Sequence, residues 1–304
     1  MSAVAVTGTP PMRRSLRVRI GHLHPVLNIL LVLIAVFWLV PTFGLLIISL
    51  RPEGLFTVSG WWTALTVPSQ LTFANYQAIF AQGLKASGLV DSLLTSLVIT
   101  VPTTLLVTLL ASLTAYSLVF GRWKGRDAVL LIIVGLLVVP LQIALLPVAS
   151  LYNGVHSLTG FNPYGTALGV VIFHVAFGLP FGIFLMRNFY TGIPRDLLEA
   201  ARIDGAGEWT LFQRVVIPLG LPAAASLMIF QFIWTWNDLL VGLVFLGGST
   251  HITYTYFLYN QTRTFAGSYW VISTGAIIAL VIPLIVFFSF QRYFVRGVLA
   301  GAVK

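Results

Sequence analysis

Residues 26–50 read V-L-N-I-L-L-V-L-I-A-V-F-W-L-V-P-T-F-G-L-L-I-I-S-L, from Val26 to Leu50, without one charged side chain. As an α-helix rising ~1.5 Å per residue, such a run spans the ~30 Å hydrocarbon core of a bilayer. Five further runs have the same character: Leu89 to Phe120, Ala128 to Ser150, Gly165 to Met186, Ala223 to Leu246 and Trp270 to Phe290. Composition agrees with them. Of 304 residues, 58% are hydrophobic and 8% are charged, whereas a soluble domain covers its surface with roughly 25% charged residues. The solvent for this chain is therefore lipid. Disorder is excluded by the same figures, since it requires low hydrophobicity and high charge. The absence of cysteine removes a disulfide framework, a thiolate metal site and a cysteine nucleophile.

A net charge of +9 raises the question of nucleic acid, which the placement of charge answers. Arg13, Arg14, Arg17 and Arg19 precede the first run, and Arg122, Lys124 and Arg126 follow the second. Arg187, Arg195, Arg202 and Arg214 lie between the fourth and fifth, and Arg292, Arg296 and Lys304 close the chain. Only Arg51, Lys85 and Arg263 fall in the alternate loops. The positive-inside rule then predicts six helices with both termini cytoplasmic. The outer surface is left to the loops Arg51 to Gly88, Leu151 to Tyr164 and Gly247 to Tyr269. The N-terminal run is too long for a signal peptide and lacks a small-residue cleavage site, so it reads as an uncleaved first helix.

Prolines recur within the spans, at positions 41, 102, 140, 147, 180 and 283. Each removes one helix hydrogen bond, which fits either the ordinary composition of membrane helices or a bundle that rearranges. Polar side chains inside the apolar runs are Gln142, His174, Gln231, Asn237 and Asp238, with Trp234 beside them. Such groups face a cavity or a neighbouring helix, because a charge at the membrane centre costs roughly 2.5–3.5 kcal/mol. They are candidates for a translocation path. Asp238 reads equally as a helix-end cap, and His174 as a hydrogen-bonded packing residue. No metal-binding H-E-x-x-H pattern occurs.

The segment between the fourth and fifth runs differs from the rest. It reads I-P-R-D-L-L-E-A-A-R-I-D-G-A-G-E-W over Ile193 to Trp209 and continues to Ile217-Pro218. Asp196, Glu199, Asp204 and Glu208, half of the 8 acidic residues, lie here. Pro194 suits a helix start and Gly205 its stop, predicting helix, glycine turn, helix. A solvated hairpin, a DNA-binding helix-turn-helix and a docking hairpin for a cytoplasmic partner all share this outline. The membrane tether at both ends speaks against DNA. Small residues at the bend allow close approach of a partner, and the charges can set its register.

Glu199-Ala200-Ala201, then Gly205, then Val215-x-Ile217-Pro218 resembles the E-A-A-x3-G-x9-I-x-L-P loop of ABC-importer permeases. Val215 and Ile217 depart from it conservatively. Trp236-Asn237-Asp238 and the terminal Gln291 to Lys304 are similar to the carbohydrate-uptake subfamily. The resemblance implies an all-α integral membrane fold, a six-helix type I importer bundle in a bacterial cytoplasmic membrane, with a cytoplasmic coupling-helix hairpin. Residues 1–25 would be a cytoplasmic tail, 26–291 the transmembrane domain with its coupling loop at 187–222, and 292–304 a C-terminal tail. It implies a second, related permease as heterodimer partner, two copies of an ATP-binding subunit holding ATP and Mg, and an extracytoplasmic solute-binding protein. The chain itself would bind no cofactor and no metal. Its ATPase-coupling residues would be Glu199, Ala200, Ala201, Asp204, Gly205 and Ala206. Tyr254, Tyr256, Tyr259 and Asn260, in the loop between the last two spans, would face the binding protein. The implied cargo is a carbohydrate, an oligosaccharide such as an α-glucoside.

The residues agree with that division of labour. There is no G-x4-G-K-[ST] phosphate loop and lysine occurs only at positions 85, 124 and 304, so ATP hydrolysis must be supplied by another subunit. This chain is not expected to be an enzyme. Two other readings make separate predictions: a proton-coupled transporter relaying through Asp238 or His174 would need no ATPase, and a membrane scaffold would not translocate at all.

Overall fold

The computed structural model describes residues 24–302, apart from 57, 82, 84 and 264–268; for residue 24 and for 293–302 it describes the backbone alone. The basic N-terminal arm and Lys304 lie outside the described residues. Among the described residues all regular structure is helical. The helices are α1 (His24–Ser49), α2 (Thr63–Thr66), α3 (Ala74–Ala81), α4 (Leu89–Phe120), α5 (Arg126–Leu136), α6 (Leu141–Thr159) and α7 (Ala167–Tyr190). After these come α8 (Arg195–Ile203), α9 (Glu208–Leu211), α10 (Ile217–Asn237), α11 (Leu240–Phe245), α12 (Tyr254–Thr262) and α13 (Tyr269–Ala302).

Five stretches are long and apolar enough to cross a membrane: Pro25–Ser49, Leu89–Phe120, Ala167–Tyr190, Glu208–Asn237 and Tyr269–Arg292. The expected third span is instead two helices, α5 and α6, bent by 101°. Pro140 explains the break. It has no N–H to donate, and it disfavours helical geometry at Val139 before it. The turn closes with Val139 N–H donating to Leu136 O and Val138 N–H to Gly135 O, after which Pro140 is extended at ψ 128°. The other five prolines named from the sequence sit inside unbroken helices.

Cross-contacts show that the bent pair still carries the chain across the bundle. The end of α4 meets the start of α9, where the Tyr116 hydroxyl donates to the Glu208 carboxylate. Beyond it, α5 begins with Arg126 donating to Gly121 O. At the far end, Tyr152 of α6 packs on Phe245 with ring centroids 5.4 Å apart and donates to Gly169 O at 2.9 Å. Gly165, just before α7, donates to Phe245 O. Counted as one broken span, the bent pair brings the five crossings to six.

The fifth span is displaced from its expected position. It begins before Ala223, through the π turn Phe212–Val216, and ends at Asn237 rather than Leu246. Pro218 has no N–H, and Ile217 N–H bonds back to Phe212 O, five residues earlier. At the other end Asp238 turns extended, ψ 127°, and its carboxylate accepts the Val241 N–H at 2.9 Å. That cap opens α11 as a separate element. The last helix also overruns its expected end at Phe290, since no proline after Pro283 interrupts it.

The packing core forms between α4, α7 and α10. Ala111, Ala115 and Leu227 are fully buried against one another's helices. Gly182 makes this approach possible: a Cβ there would lie 3.0 Å from Ala111 Cβ and 3.2 Å from Val107 Cγ1. Small residues at a crossing let helix backbones close without a hydrophobic drive from water.

Candidate coupling hairpin and transport surface

The hairpin between α7 and α10 is built from α8, a glycine turn and α9. Pro194 stands at the N-cap position with extended geometry. At the other end of α8, Gly205 N–H donates to Arg202 O and Ala206 N–H to Ala201 O, both at 3.0 Å. This is the Schellman pattern, and Gly205 supplies its left-handed residue at φ +87°. Among the described residues, nothing beyond its two chain neighbours lies within 4 Å of where a Gly205 Cβ would be.

The inner side of the hairpin is anchored to the bundle. Leu198, Leu211 and Phe212 are buried, the first and last in one cluster with Ala115, Met186 and Tyr190. Tyr116 packs edge-on against Phe212, centroids 5.3 Å apart. Arg202 clamps Glu208 with two bonds, Nε to Oε1 at 3.0 Å and Nη2 to Oε2 at 3.3 Å, and Tyr116 donates to the same carboxylate. Thus two charges that the sequence suggested for a partner are consumed within the molecule. Sequence reasoning missed this clamp because Tyr116 is 92 residues from Glu208.

The outer side is open. Asp196, Glu199, Ala200, Asp204 and Gly205 are exposed, and Ala201 and Ala206 half-buried. Asp196, Glu199 and Asp204 have no side-chain partner among the described residues. Beside them stand Leu197, Trp209 and Ile203, the last 87% exposed. An acidic face studded with exposed apolar side chains is a contact surface in need of a partner.

The polar residues picked out within the spans divide. His174 is buried at 5% exposure and Gln231 at 2%. Gln231 Nε2 donates to Thr235 Oγ1 at 3.1 Å, and its amide packs over Gly178. Gln142, Trp234 and Asn237 are exposed. Trp234 borders a recess of about 350 Å³ with Leu137, Val139, Phe177, Pro180 and Phe181, opened by the break between α5 and α6. Asp238 is half-buried in its capping role. Neither His174 nor Asp238 bonds to the other.

In the loop after α11, Tyr254 is withdrawn from the surface. It stacks on Trp236, centroids 4.7 Å apart, and donates to Asn237 Oδ1 at 2.9 Å. Tyr256, Tyr259 and Asn260 are half-buried, and Arg263 lies over the Tyr259 ring at 5.7 Å. The loop after α1 holds a residue that the sequence did not single out. Arg51 is fully buried and donates to Ser59 O at 3.2 Å, Ser59 Oγ at 2.7 Å and Thr63 Oγ1 at 3.4 Å. Among the described residues there is no group of three or more His, Asp or Glu placed to hold a metal.

A bundle of membrane-crossing helices, interrupted by an anchored hairpin with an open acidic face, defines a multi-pass membrane permease. Residues 78–300 match the family described as binding-protein-dependent transport system inner membrane component, and the chain belongs to that family. It is 42% identical over 279 residues, 91% of each chain, to the osmoprotective compounds uptake permease protein GgtD of Synechocystis sp.. It is 43% identical over 240 residues to the alpha-glucoside transport system permease protein AglG of Rhizobium meliloti, covering 79% of this chain and 62% of that one. Its fold is similar to that of a chain in the crystal structure of a bacterial ABC transporter involved in import of the acidic polysaccharide alginate. The TM-score is 0.71 at 22% identity, over 94% of this chain and 100% of that one. The protein is therefore the transport subunit of an ABC importer and not an enzyme. The proton-coupled and scaffold readings fall with that assignment.

Proposed function

We propose that this chain forms half of the translocation path of an ATP-driven carbohydrate importer. In this reading a second, related permease completes the path. Two ATP-binding subunits carry ATP and Mg, one of them docked on this hairpin, and a solute-binding protein delivers the cargo. The observation that carries the docking role is the two-sided hairpin: buried Leu198 and Phe212 and the Arg202–Glu208–Tyr116 clamp on one side, exposed Glu199, Asp204 and Ile203 on the other. A lever must be rigid toward what it moves and open toward what moves it.

Movement of the ATPase pair would displace α8, and the clamp would pass the displacement to the end of α4 and, through Phe212, to α10. The bundle would open alternately to the two sides. Glu199 contributes charge-assisted hydrogen bonds to the docked subunit, worth ~1.5–3 kcal/mol, with Ala200, Ala201 and Ala206 permitting close approach. The hairpin end is assigned to the cytoplasm by its arginines, and the Tyr256, Tyr259 and Asn260 segment to the side of the binding protein.

The carbohydrate assignment is supported by the alpha-glucoside permease among the relatives. Exposed Trp234 offers an aromatic face to the C–H side of a sugar, and Gln142 offers hydrogen bonds, while the Asn237 amide is held by Tyr254 and Ile233 O. His174 and Gln231 act in this scheme by holding α7 against α10. The decisive experiment reconstitutes the complete importer in proteoliposomes with its binding protein and measures ATP-dependent sugar uptake. Uptake driven by ATP, insensitive to an uncoupler and lost on Glu199→Ala is expected. Uptake of a sugar panel insensitive to ATP would overturn the proposal. A thermal-shift screen of the binding protein against α-glucosides and other oligosaccharides then identifies the cargo.

A further inference from the structure

Three arginines from separate parts of the chain converge on one cavity at the hairpin end. Arg126 opens α5, Arg187 lies in the last turn of α7, and Arg195 opens α8. They border a cavity of about 220 Å³, walled by apolar side chains including Val119, Leu130 and Ile193. One carboxylate, that of Asp127, shares the lining; it lies 3.4 Å from Arg126 Nε with its side chain 88% exposed. Arg126 spends one further donor on Gly121 O at 3.3 Å, and Arg187 donates to Asn188 Oδ1 at 3.4 Å. Arg195 finds no acceptor among the described residues. Most guanidinium donors around the cavity are thus unspent.

The positive-inside rule alone would scatter such charges over exposed loops. Here they share a walled recess beside the last turn of α7, at the end of its apolar run, flanked by the Arg122-Trp123-Lys124 loop. Trp123 is the residue type that marks a membrane interface. Next to Leu130 on α5, Leu131 and Ile132 are exposed along the helix. A ligand with an anionic head and a long apolar tail matches both surfaces, and a small anion matches only one. Guanidinium forks are suited to phosphate oxygens.

We propose that this cavity seats the phosphate of an anionic phospholipid, with its acyl chains lying along α5. Anionic lipid would then order the junction of α5, α7 and α8, on the side where the hairpin leaves α7. The inference is independent of the cargo and of the docking role proposed for Glu199.

The test uses the complete importer purified into nanodiscs containing equal phosphatidylglycerol and phosphatidylcholine, released and examined by native mass spectrometry. The wild-type complex should retain phosphatidylglycerol in preference to phosphatidylcholine. The double variant Arg126→Gln, Arg187→Gln should lose about tenfold or more of that preference, given the electrostatic worth of each basic residue near a membrane. Millimolar inorganic phosphate should not displace the lipid. Should the variant not fold, the wild type alone decides: raising the salt concentration should weaken retention. Equal retention of both lipids, salt-insensitive retention, a variant that keeps the preference, or displacement by inorganic phosphate would each overturn the proposal.

Discussion

At the residue scale, Gly205 separates two kinds of cost. Its φ of +87° charges any L side chain about 1–2 kcal/mol of backbone strain, yet the chain leaves open space at its Cβ. A Gly205→Asp variant should therefore assemble with its partners, with only a small loss of thermal stability, while uptake is abolished by the added side chain at the docking face. Normal uptake at normal expression would count against the coupling role. Tyr116 offers a second measurement. Tyr116→Phe keeps the ring against Phe212 and removes one bond to Glu208. That bond is worth about 1 kcal/mol after allowance for solvent screening. Expected is a lower ratio of solute transported to ATP hydrolysed, with ATPase docking unchanged. Glycine at position 205 could be read from its spacing after Glu199; Tyr116 could not, since nothing in a tyrosine near a span end names its partner.

The elements carry their own constraints. The crossing of α4, α7 and α10 depends on the missing side chain at Gly182. Gly182→Val should overpack it against Ala111 and Leu227 by about 1–3 kcal/mol. Lower yield of assembled complex and a reduced melting temperature should follow, measured by size-exclusion chromatography and thermal unfolding in detergent. In the loop between α1 and α4, Arg51 plays the part of a buried organiser, bonded to Ser59 and Thr63. Arg51→Met should leave Ser59 O without its donor at a cost of roughly 1–3 kcal/mol, read as a lower melting temperature. An unchanged value would mean that the loop holds itself. The span boundaries show why elements are only partly legible. Hydropathy found α4 to the residue. It merged α5 with α6, because apolar residues continue through Pro140, and it extended the fifth span through Asp238, because α11 is apolar too.

For the whole molecule, the distribution of charge makes a topological prediction, and the lack of cysteine makes it easy to test. A single cysteine introduced at Lys124, in the exposed loop between α4 and α5, should react with a membrane-impermeant maleimide only after the membrane is opened. One introduced at Ser157, near the end of α6, should react in intact cells. Reversal of that pattern would invert the assignment of sides. The same scale explains which candidate path residues are exposed. Trp234 and Asn237 are exposed, where the proposed second permease would meet this chain, whereas His174 and Gln231 fill the space between its own helices. A helical periodicity cannot distinguish these two fates when every face of the helix is apolar.

The linear order of residues was enough to establish the solvent, the approximate number of crossings and the hairpin with its glycine turn, and the signs of its loops supply the expectation of sidedness. Each of these is a local property: the length of an apolar run, the sign of a loop, the φ that a turn demands. Tertiary structure decided the rest. It broke the third span at Pro140, capped α11 with Asp238, drew Tyr254 inward, and joined Tyr116 to Glu208 and Arg202. Those outcomes depend on which helix faces meet across the bundle. In a chain so uniformly apolar, that choice is made by shape and by a handful of polar contacts distant in sequence.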